Sequence, residues 1–204
     1  GHSHIAVTGR AGCGKSSLIN ALRGLTNNDH QAAATGVVET TTQVAGYPDP
    51  DPEKPFIWYD IPGAGTLNIP DWQYFITQGL FVFNCIIVLI DIRFSATDIA
   101  IIDNSRRFNI PSYIVRSKAN QHVLNIMDDM GCDLMTDDGT QRKEMLPVAR
   151  ERFISETHQN VSENLVKAEL PPQRVYMVSK DNVAAFVGGR QTVRDPIIDE
   201  EQLV

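Results

Sequence analysis

One stretch, GRAGCGKSS at residues 9–17, decides the fold of this chain. It follows the pattern G-x-x-x-x-G-K-[ST], in which glycines allow positive φ angles and let successive backbone N–H groups point into one concave surface. A helix that follows such a loop adds its N-terminal partial positive charge at the same place. The residues that match the pattern are Gly9, Gly14, Lys15 and Ser16. The stretch therefore predicts a loop that binds phosphate groups, and it leaves open what carries those phosphates.

The residues of this phosphate loop have separate expected roles. Lys15 is expected to reach the β- and γ-phosphates of a nucleotide, and the Ser16 hydroxyl is expected to bind Mg²⁺. Arg10 could steady negative charge in a transition state, in cis or across a dimer, although such an arginine more often faces solvent or pairs with an acid. The residues expected to line the phosphate site are Gly9, Arg10, Ala11, Gly12, Cys13, Gly14, Lys15, Ser16 and Ser17.

Short β-rich runs alternate with helical runs along the rest of the chain. Predicted strands cover residues 4–9, 42–48, 55–61, 84–92, 111–118 and 174–180. Predicted helices cover residues 15–24, 71–79, 95–108 and 140–169. This alternation predicts a three-layer α/β domain with a mostly parallel central sheet, in which ligands bind beyond the carboxyl ends of the strands. The first predicted strand delivers the phosphate loop to that edge.

The ends of the predicted elements are less sharply defined. Asp71 is a candidate N-cap of the helix predicted over 71–79, and Ser95 is a candidate N-cap of the helix predicted over 95–108. Pro147 lies either in the first turns of the last long helix or at a break in it. Residues 120–140 are polar and ambiguous, and the final stretch DEEQLV, at 199–204, is expected to fray.

Composition narrows the class of protein. The chain has 204 residues, which suits one domain, and its net charge of −7 argues against broad nucleic-acid binding. Three widely spaced cysteines form neither a metal-binding spacing nor a disulfide framework, which favours a reducing, cytosolic setting. The longest apolar run, at 80–90, is too short to span a bilayer and predicts a buried strand.

A second motif follows a predicted strand, in WYDIPG at residues 58–63. Asp60 ends that strand and can hold Mg²⁺ directly or through water, while the backbone N–H of Gly63 can meet a γ-phosphate. The pattern D-x-x-G is common by itself, but its place downstream of a phosphate loop makes it specific. A threonine between the two motifs should sense Mg²⁺ and the γ-phosphate. Thr35 has the usual separation from Lys15, and Thr41 is the alternative.

Two later stretches match the loops that hold a base. A guanine site usually carries [NT]-K-x-D, in which the lysine stem covers the base and the aspartate accepts from the ring N–H and the amine. The corresponding stretch here is SKAN, which contains Lys118 and Asn120. The later VSKD places Ser179 and Lys180 where a backbone N–H would meet the guanine oxygen.

The order of these motifs resembles that of the immunity-related, interferon-inducible GTPases. The matching stretches are GRAGCGKSSLINALRG, TGVVETT, WYDIPGAGT and YIVRSKAN, and the resemblance covers roughly residues 4–185. It implies a Ras-like GTPase domain that binds GTP, GDP and Mg²⁺, here over 4–188. Family members typically oligomerise through nucleotide-facing surfaces, hydrolyse faster when they do, and often act on intracellular membranes. They also carry a helical region, and we take 189–204 as a tail at its start.

Asn120 departs from the family, which has aspartate at this position. A carboxylate accepts from two donors on guanine, whereas an amide presents one acceptor and one donor. One frustrated polar contact in a buried site costs about 1–3 kcal/mol, or about ten- to a hundredfold in affinity. Asn120 would suit xanthine, but Lys118 and the Lys180 N–H favour guanine, and a shifted loop could supply another acid such as Asp181.

The position that orients water departs from Ras-like enzymes. Those enzymes follow D-x-x-G with glutamine, whereas Ala64 follows Gly63 here and a methyl group cannot hold water. The resembling family also lacks that glutamine, and its first switch loop carries a glutamate that matches Glu39. A carboxylate there could orient or polarise water, and the alternative is a solvated loop acid.

The expected function is slow GTP hydrolysis, by direct attack of water on the γ-phosphate, accelerated by self-association into a dimer or oligomer through the nucleotide face. The expected catalytic residues are Lys15, Thr35, Glu39 and Gly63, and the expected metal ligands are Ser16, Thr35 and Asp60. One alternative is a nucleotide-dependent switch with negligible hydrolysis or altered base specificity. A nucleotide kinase or ATPase is the other, but no arginine-rich lid is evident. We expect a cytoplasmic location, with peripheral membrane association only through regions beyond this sequence.

Overall fold

The phosphate loop lies at the carboxyl end of a central strand in a computed structural model of the chain, which describes residues 1–36, 43–64, 69–133, 135–136, 139–190 and 197–204. Within these residues, six strands form one sheet. They are β1 Ser3–Gly9, β2 Ala45–Pro48, β3 Phe56–Asp60, β4 Cys85–Ile90, β5 Ser112–Arg116 and β6 Val175–Met177. All six predicted strands are therefore confirmed, with ends that differ by a few residues.

The strand order is β2-β3-β1-β4-β5-β6, and only β2 runs antiparallel to its neighbour in this described sheet. β1 sits between β3 and β4, where Val7 pairs with Asp60 and Gly9 pairs with Leu89. Because parallel strands present their carboxyl ends at one edge, the loops that follow β1, β3, β4, β5 and β6 meet there. This edge carries every motif that the sequence singled out after a strand.

Helices cover both faces of the sheet. The described helices are α1 Lys15–Leu22, α2 Asp71–Thr77, α3 Ala96–Arg107, α4 Ala119–Asp129, α5 Thr140–Lys167, α6 Lys180–Val187 and α7 Glu200–Leu203. Alternate residues of β4 point to opposite faces, so Ile86 and Val88 pack with α2 to α5, whereas Ile87 and Leu89 pack with α1 and α6. The predicted three-layer α/β fold with a mostly parallel sheet is confirmed.

Two predicted helix ends have different outcomes. Ser95 caps α3 as predicted: its hydroxyl accepts from the Asp98 backbone N–H at 3.1 Å, and the Asp98 carboxylate accepts from the Ser95 backbone N–H at 2.8 Å. The prediction that Asp71 caps α2 was wrong, because Pro70 occupies the cap position. Asp71 is the first helical residue, and its carboxylate accepts a hydrogen bond from the Thr97 hydroxyl of α3.

The ambiguous stretch 120–140 contains most of α4, which buries Val123 and Met127 against the core. The long helix α5 continues through Pro147, so this proline marks no break. The expectation that the final stretch would fray was wrong. Residues 200–203 form α7, and Glu200 is completely buried.

Candidate nucleotide site

The phosphate loop is a tight turn held open by glycine backbone. Gly12 and Gly14 have φ angles of 77° and 97°, and Gly14 precedes the first residue of α1. The turn closes through a hydrogen bond from the Cys13 N–H to the Arg10 carbonyl at 3.2 Å. At Gly9 an added Cβ would lie 2.6 Å from the Leu89 carbonyl oxygen, so the close approach of β4 requires glycine. The loop thus has the backbone shape that its pattern predicted.

Lys15 folds back over the loop that precedes it. Its side chain is buried, and Nζ donates to the carbonyls of Gly9 at 3.3 Å and Arg10 at 3.2 Å. These bonds hold the ammonium group at the loop. Cys13 lies beneath the loop, where burial raises the pKa of its thiol to about 11 and keeps it a neutral packing group.

Ser16 and Asp60 come together at the end of β3. The Ser16 hydroxyl donates to one carboxylate oxygen of Asp60, which is 1% exposed. A hydroxyl and a carboxylate in contact at the start of a helix fit a hard cation that also takes phosphate oxygens, as Mg²⁺ does. The donor chemistry therefore agrees with the predicted pair of metal ligands, whose role stays a prediction.

The residues after Asp60 turn back toward the phosphate loop. Gly63 is buried, and Ala64 pairs with Arg10 through an isolated parallel bridge. The Tyr74 hydroxyl of α2 donates to the Pro62 carbonyl, which fixes the segment from the other side. The Arg10 side chain is exposed beside Asp98. Burial raises the pKa of Asp98, against the opposing effects of its bonds to Ser95 and the charge of Arg10.

The loop between α1 and β2 is anchored at its beginning. The Asn20 side chain of α1 donates to the Ala33 carbonyl at 3.1 Å and accepts from the Ala33 N–H at 2.7 Å. Thr35 follows this anchor, is exposed, and has no hydrogen bond to Ser16 or Asp60 among the described residues. Glu39 and the alternative Thr41 lie outside the described residues. The roles of all three stay predictions.

The SKAN loop is attached directly to the phosphate loop. The buried Ser117 hydroxyl donates to the Cys13 carbonyl at 3.0 Å, and Lys118 Nζ donates to the Gly12 carbonyl at 3.3 Å. Lys118 itself has a left-handed backbone, with φ of 59°, and precedes α4. Asn120 lies in the first turn of α4 and is half-buried. The predicted lysine therefore lies next to the predicted phosphate cradle.

The VSKD loop lies beside the SKAN loop. The Ala119 N–H donates to the Val178 carbonyl at 3.1 Å. Ser179 is buried, and its backbone N–H donates to the Glu200 carboxylate at 3.0 Å. Lys180 begins α6 and is exposed, as is Asp181. The edge of the sheet thus brings both predicted base loops together.

Sequence reasoning missed Asp91, His122 and Glu200 at this edge. Asp91 directly follows β4 and contacts both Lys118 and His122. Its signal was available, because an aspartate that ends a buried strand in a parallel sheet lies at the ligand edge. Glu200 carried no such signal, since it lies in a polar, acidic stretch at the end of the sequence.

Taken together, the strand order, the phosphate loop and the Ser16–Asp60 pair define the fold of a P-loop GTPase domain. A family profile described as Interferon-inducible GTPase (IIGP) matches residues 2–187. The chain therefore belongs to the interferon-inducible GTPase family, as the resemblance of its motifs predicted.

Curated relatives agree with this assignment. Interferon-inducible GTPase 1 of Mus musculus is 36% identical over 125 residues, which is 61% of this chain and 30% of the relative. Interferon-gamma-inducible GTPase 10 of Mus musculus is 29% identical over 185 residues, covering 90% of this chain and 40% of the relative. Interferon-inducible GTPase 5 of Rattus norvegicus is 30% identical over 175 residues, covering 86% and 35%. The chain thus matches well under half the length of each relative.

No helix in the described part of the chain has the length and hydropathy that crossing a bilayer requires.

Proposed function

We propose that this chain is a guanine-nucleotide-binding domain that hydrolyses GTP to GDP and phosphate. The observation that carries the proposal is the junction of the phosphate loop with the SKAN loop, through Ser117 to Cys13 and Lys118 to Gly12. The loop expected to bind phosphate is thus bonded to the lysine expected to cover the base. The two loops are therefore held at a fixed separation, at which one nucleotide would bind with its phosphates on one loop and its base on the other. Family membership and the names of the relatives, which are called GTPases, support the same activity. On this proposal residues 4–188 are the GTPase domain.

In this proposal the loop N–H groups and Lys15 bind the β- and γ-phosphates and stabilise the charge that develops as the γ-phosphoryl group leaves. Lys15 would exchange its bonds to the Gly9 and Arg10 carbonyls for phosphate oxygens. The Gly63 N–H would add a further donor to the γ-phosphate. The backbone N–H groups of the loop are set by its glycine turn before substrate arrives, whereas Lys15 reorients on binding.

Mg²⁺ would be held by Ser16, by Thr35, and by Asp60 directly or through water. When bound, it would neutralise the charge of the β- and γ-phosphate oxygens. Thr35 would have to move from its exposed position to join the other two ligands. That requirement fits a loop that responds to the γ-phosphate.

The attacking water needs a partner, because Ala64 offers only a methyl group. Glu39 is the proposed group, and its carboxylate would orient or polarise the water. Arg10 is exposed at the loop, and its proposed role is to steady transition-state charge in cis or across a dimer. We propose that the chain self-associates through the nucleotide face and that this self-association accelerates hydrolysis. Within the cell, the proposed setting is the cytoplasm.

Single-turnover release of phosphate from GTP, measured at several protein concentrations, tests this function. The proposal expects GDP and phosphate as products and a rate constant that rises with protein concentration. Loss of hydrolysis in both Lys15→Ala and Glu39→Ala would support their assigned roles. Bound GTP that stays intact for hours at every concentration would contradict the hydrolase and favour a binding switch.

A further inference from the structure

A group of side chains beside the base loop has no role in the mechanism above. Asp91, the first residue after β4, uses both carboxylate oxygens: one accepts from Lys118 Nζ at 3.1 Å and the other meets His122 Nε2 at 2.8 Å. Asp91 is a quarter exposed and lines a groove with Gly12 and Cys13 of the phosphate loop. The carboxylate therefore links the base loop to α4, beside the phosphate loop.

The far side of this group is rigid. The His122 ring stacks on Phe153 of α5, with centroids 5.6 Å apart and planes 12° apart. Arg116 of β5 lies over the same ring, at 4.7 Å, and its Nε donates to the Asp91 backbone carbonyl at 2.8 Å. Arg116 also donates to the Thr157 hydroxyl. Arg116 of β5 thus binds the backbone of Asp91 and His122 of α4 binds its side chain, while α5 packs against both of these neighbours.

Lys118, in contrast, has a long side chain whose direction depends on its hydrogen-bond partners. A lysine side chain loses up to about 2 kcal/mol of rotamer entropy when it is fixed, so its extended pose needs partners. The carbonyl of Gly12 supplies one, at 3.3 Å, and Asp91 supplies the charged one. The pair is 38% and 26% exposed, and ion pairs at such exposure add little to folding stability. The main effect of this ion pair is to fix the direction of the Lys118 side chain.

We propose that Asp91 is a positioning residue for nucleotide binding, which holds the Lys118 side chain across the phosphate loop so that its stem is ready to cover the base. His122 orients the Asp91 carboxylate by binding its other oxygen. Preorganisation of this kind raises affinity by removing an ordering cost at binding. This gain in affinity offsets part of the loss in affinity that Asn120 is expected to cause at the base site. This inference rests on the proposed guanine-nucleotide function.

The test is Asp91→Asn, which keeps the shape of the side chain and removes its charge. The expected result is a Kd for GDP and a KM for GTP that rise by about three- to tenfold, with kcat unchanged, because Lys118 acts at the base and not at the γ-phosphate. Asp91→Glu should recover part of the affinity. Asp103→Asn is the matched control, since it breaks the exposed Arg107–Asp103 ion pair on α3 and should change neither constant.

A double-mutant cycle separates positioning from a general structural effect. In a Lys118→Met background, Asp91→Asn should cause no further loss of affinity, because its target is already gone. Additive losses, or equal falls in affinity and kcat, would overturn the proposal. If Asp91→Asn does not fold, His122→Ala tests the same group and should raise the GDP Kd by about two- to fivefold, because the Asp91 carboxylate loses one of its partners. An unchanged Kd would contradict the proposal. If the wild-type chain binds no guanine nucleotide, that result would contradict the proposed function itself and not only the role of Asp91.

Discussion

At the scale of single residues, Lys15 is the side chain on which phosphate binding depends most. Its buried ammonium group donates to the Gly9 and Arg10 carbonyls, from which it can turn to phosphate oxygens. Lys15→Ala should weaken GDP binding by about ten- to a hundredfold, the loss expected of a hydrogen bond to a charged group. Displacement of a fluorescent guanine diphosphate measures this. Lys143→Ala, on the exposed start of α5, is the control and should bind like the wild type.

Asn120 sets how well the site selects guanine. Asn120→Asp restores an acceptor for both guanine donors, so the Kd for GDP should fall by about ten- to a hundredfold. The affinity for XDP should fall at the same time, because xanthine presents an acceptor there. Asn125→Asp makes the same change on the exposed face of α4 and should alter neither affinity. A GDP affinity that stays constant in Asn120→Asp would show that residue 120 does not contact the base.

The local pattern predicted the backbone shape of the phosphate loop because that shape follows from the residues of the loop itself. Gly14 needs positive φ whatever surrounds it, and Ser16 begins the following helix. Asp91 and His122 were missed because their significance depends on contacts across three elements. No spacing in the sequence brings His122 onto Phe153, which lies in a separate helix.

At the scale of elements, the packing of α4 on α5 should depend on pH. Burial lowers the pKa of His122, with a contribution from the charge of Arg116, against the opposing bond to Asp91. Below the ordinary histidine pKa of about 6.5, the unfolded chain therefore binds a proton that the folded chain resists. The free energy of unfolding should begin to fall as the pH drops through about 6.5. It should continue to fall until the pH reaches the lowered pKa of His122 in the folded chain.

Urea denaturation at pH 7.5 and pH 5.5 checks this expectation. The wild type should lose stability between the two values, and His122→Gln should lose less. His158→Gln removes an exposed histidine of α5 and should behave like the wild type. Equal pH dependence in His122→Gln and the wild type would show that another group causes the loss.

The sequence predicted the strands and most helices because their apolar periodicity reports burial directly. β4 is a continuous apolar run and lies at the centre of the parallel part of the sheet. The cap of α2 was misassigned because Asp71 is a good capping residue by type, whereas its carboxylate binds Thr97 of α3 instead. Tertiary contact overrode the local preference.

At the scale of the whole molecule, the acidic segment that contains Asp199 and Glu200 packs against β6 and α6. The buried Glu200 carboxylate accepts from the Ser179 N–H, the Asn182 amide and the Ile198 N–H, at 3.0, 3.2 and 2.7 Å. Asp199 accepts from the Met177 N–H at 2.9 Å. This segment therefore holds the loop that carries Ser179 and the start of α6. The sequence could not predict this, because an acidic C-terminal stretch usually indicates a solvated tail.

Glu200→Ala should destabilise the domain by about 3 kcal/mol, because it removes the carboxylate that accepts from the buried Ser179 N–H and from Asn182 and Ile198. The neighbouring Glu201→Ala removes an exposed carboxylate and should change the free energy of unfolding by less than about 0.5 kcal/mol. Chemical denaturation of the two variants under the same conditions makes the comparison. Equal stabilities would contradict the structural role assigned to Glu200.

The central claim is that one guanine nucleotide binds across the phosphate loop and the two base loops. The most direct measurement is displacement of a fluorescent guanine diphosphate from the purified protein by GDP, ADP and XDP, in the presence of Mg²⁺. The account predicts that GDP displaces the probe at the lowest concentration. Stronger displacement by ADP or XDP, or the absence of tight binding by all three, would contradict it.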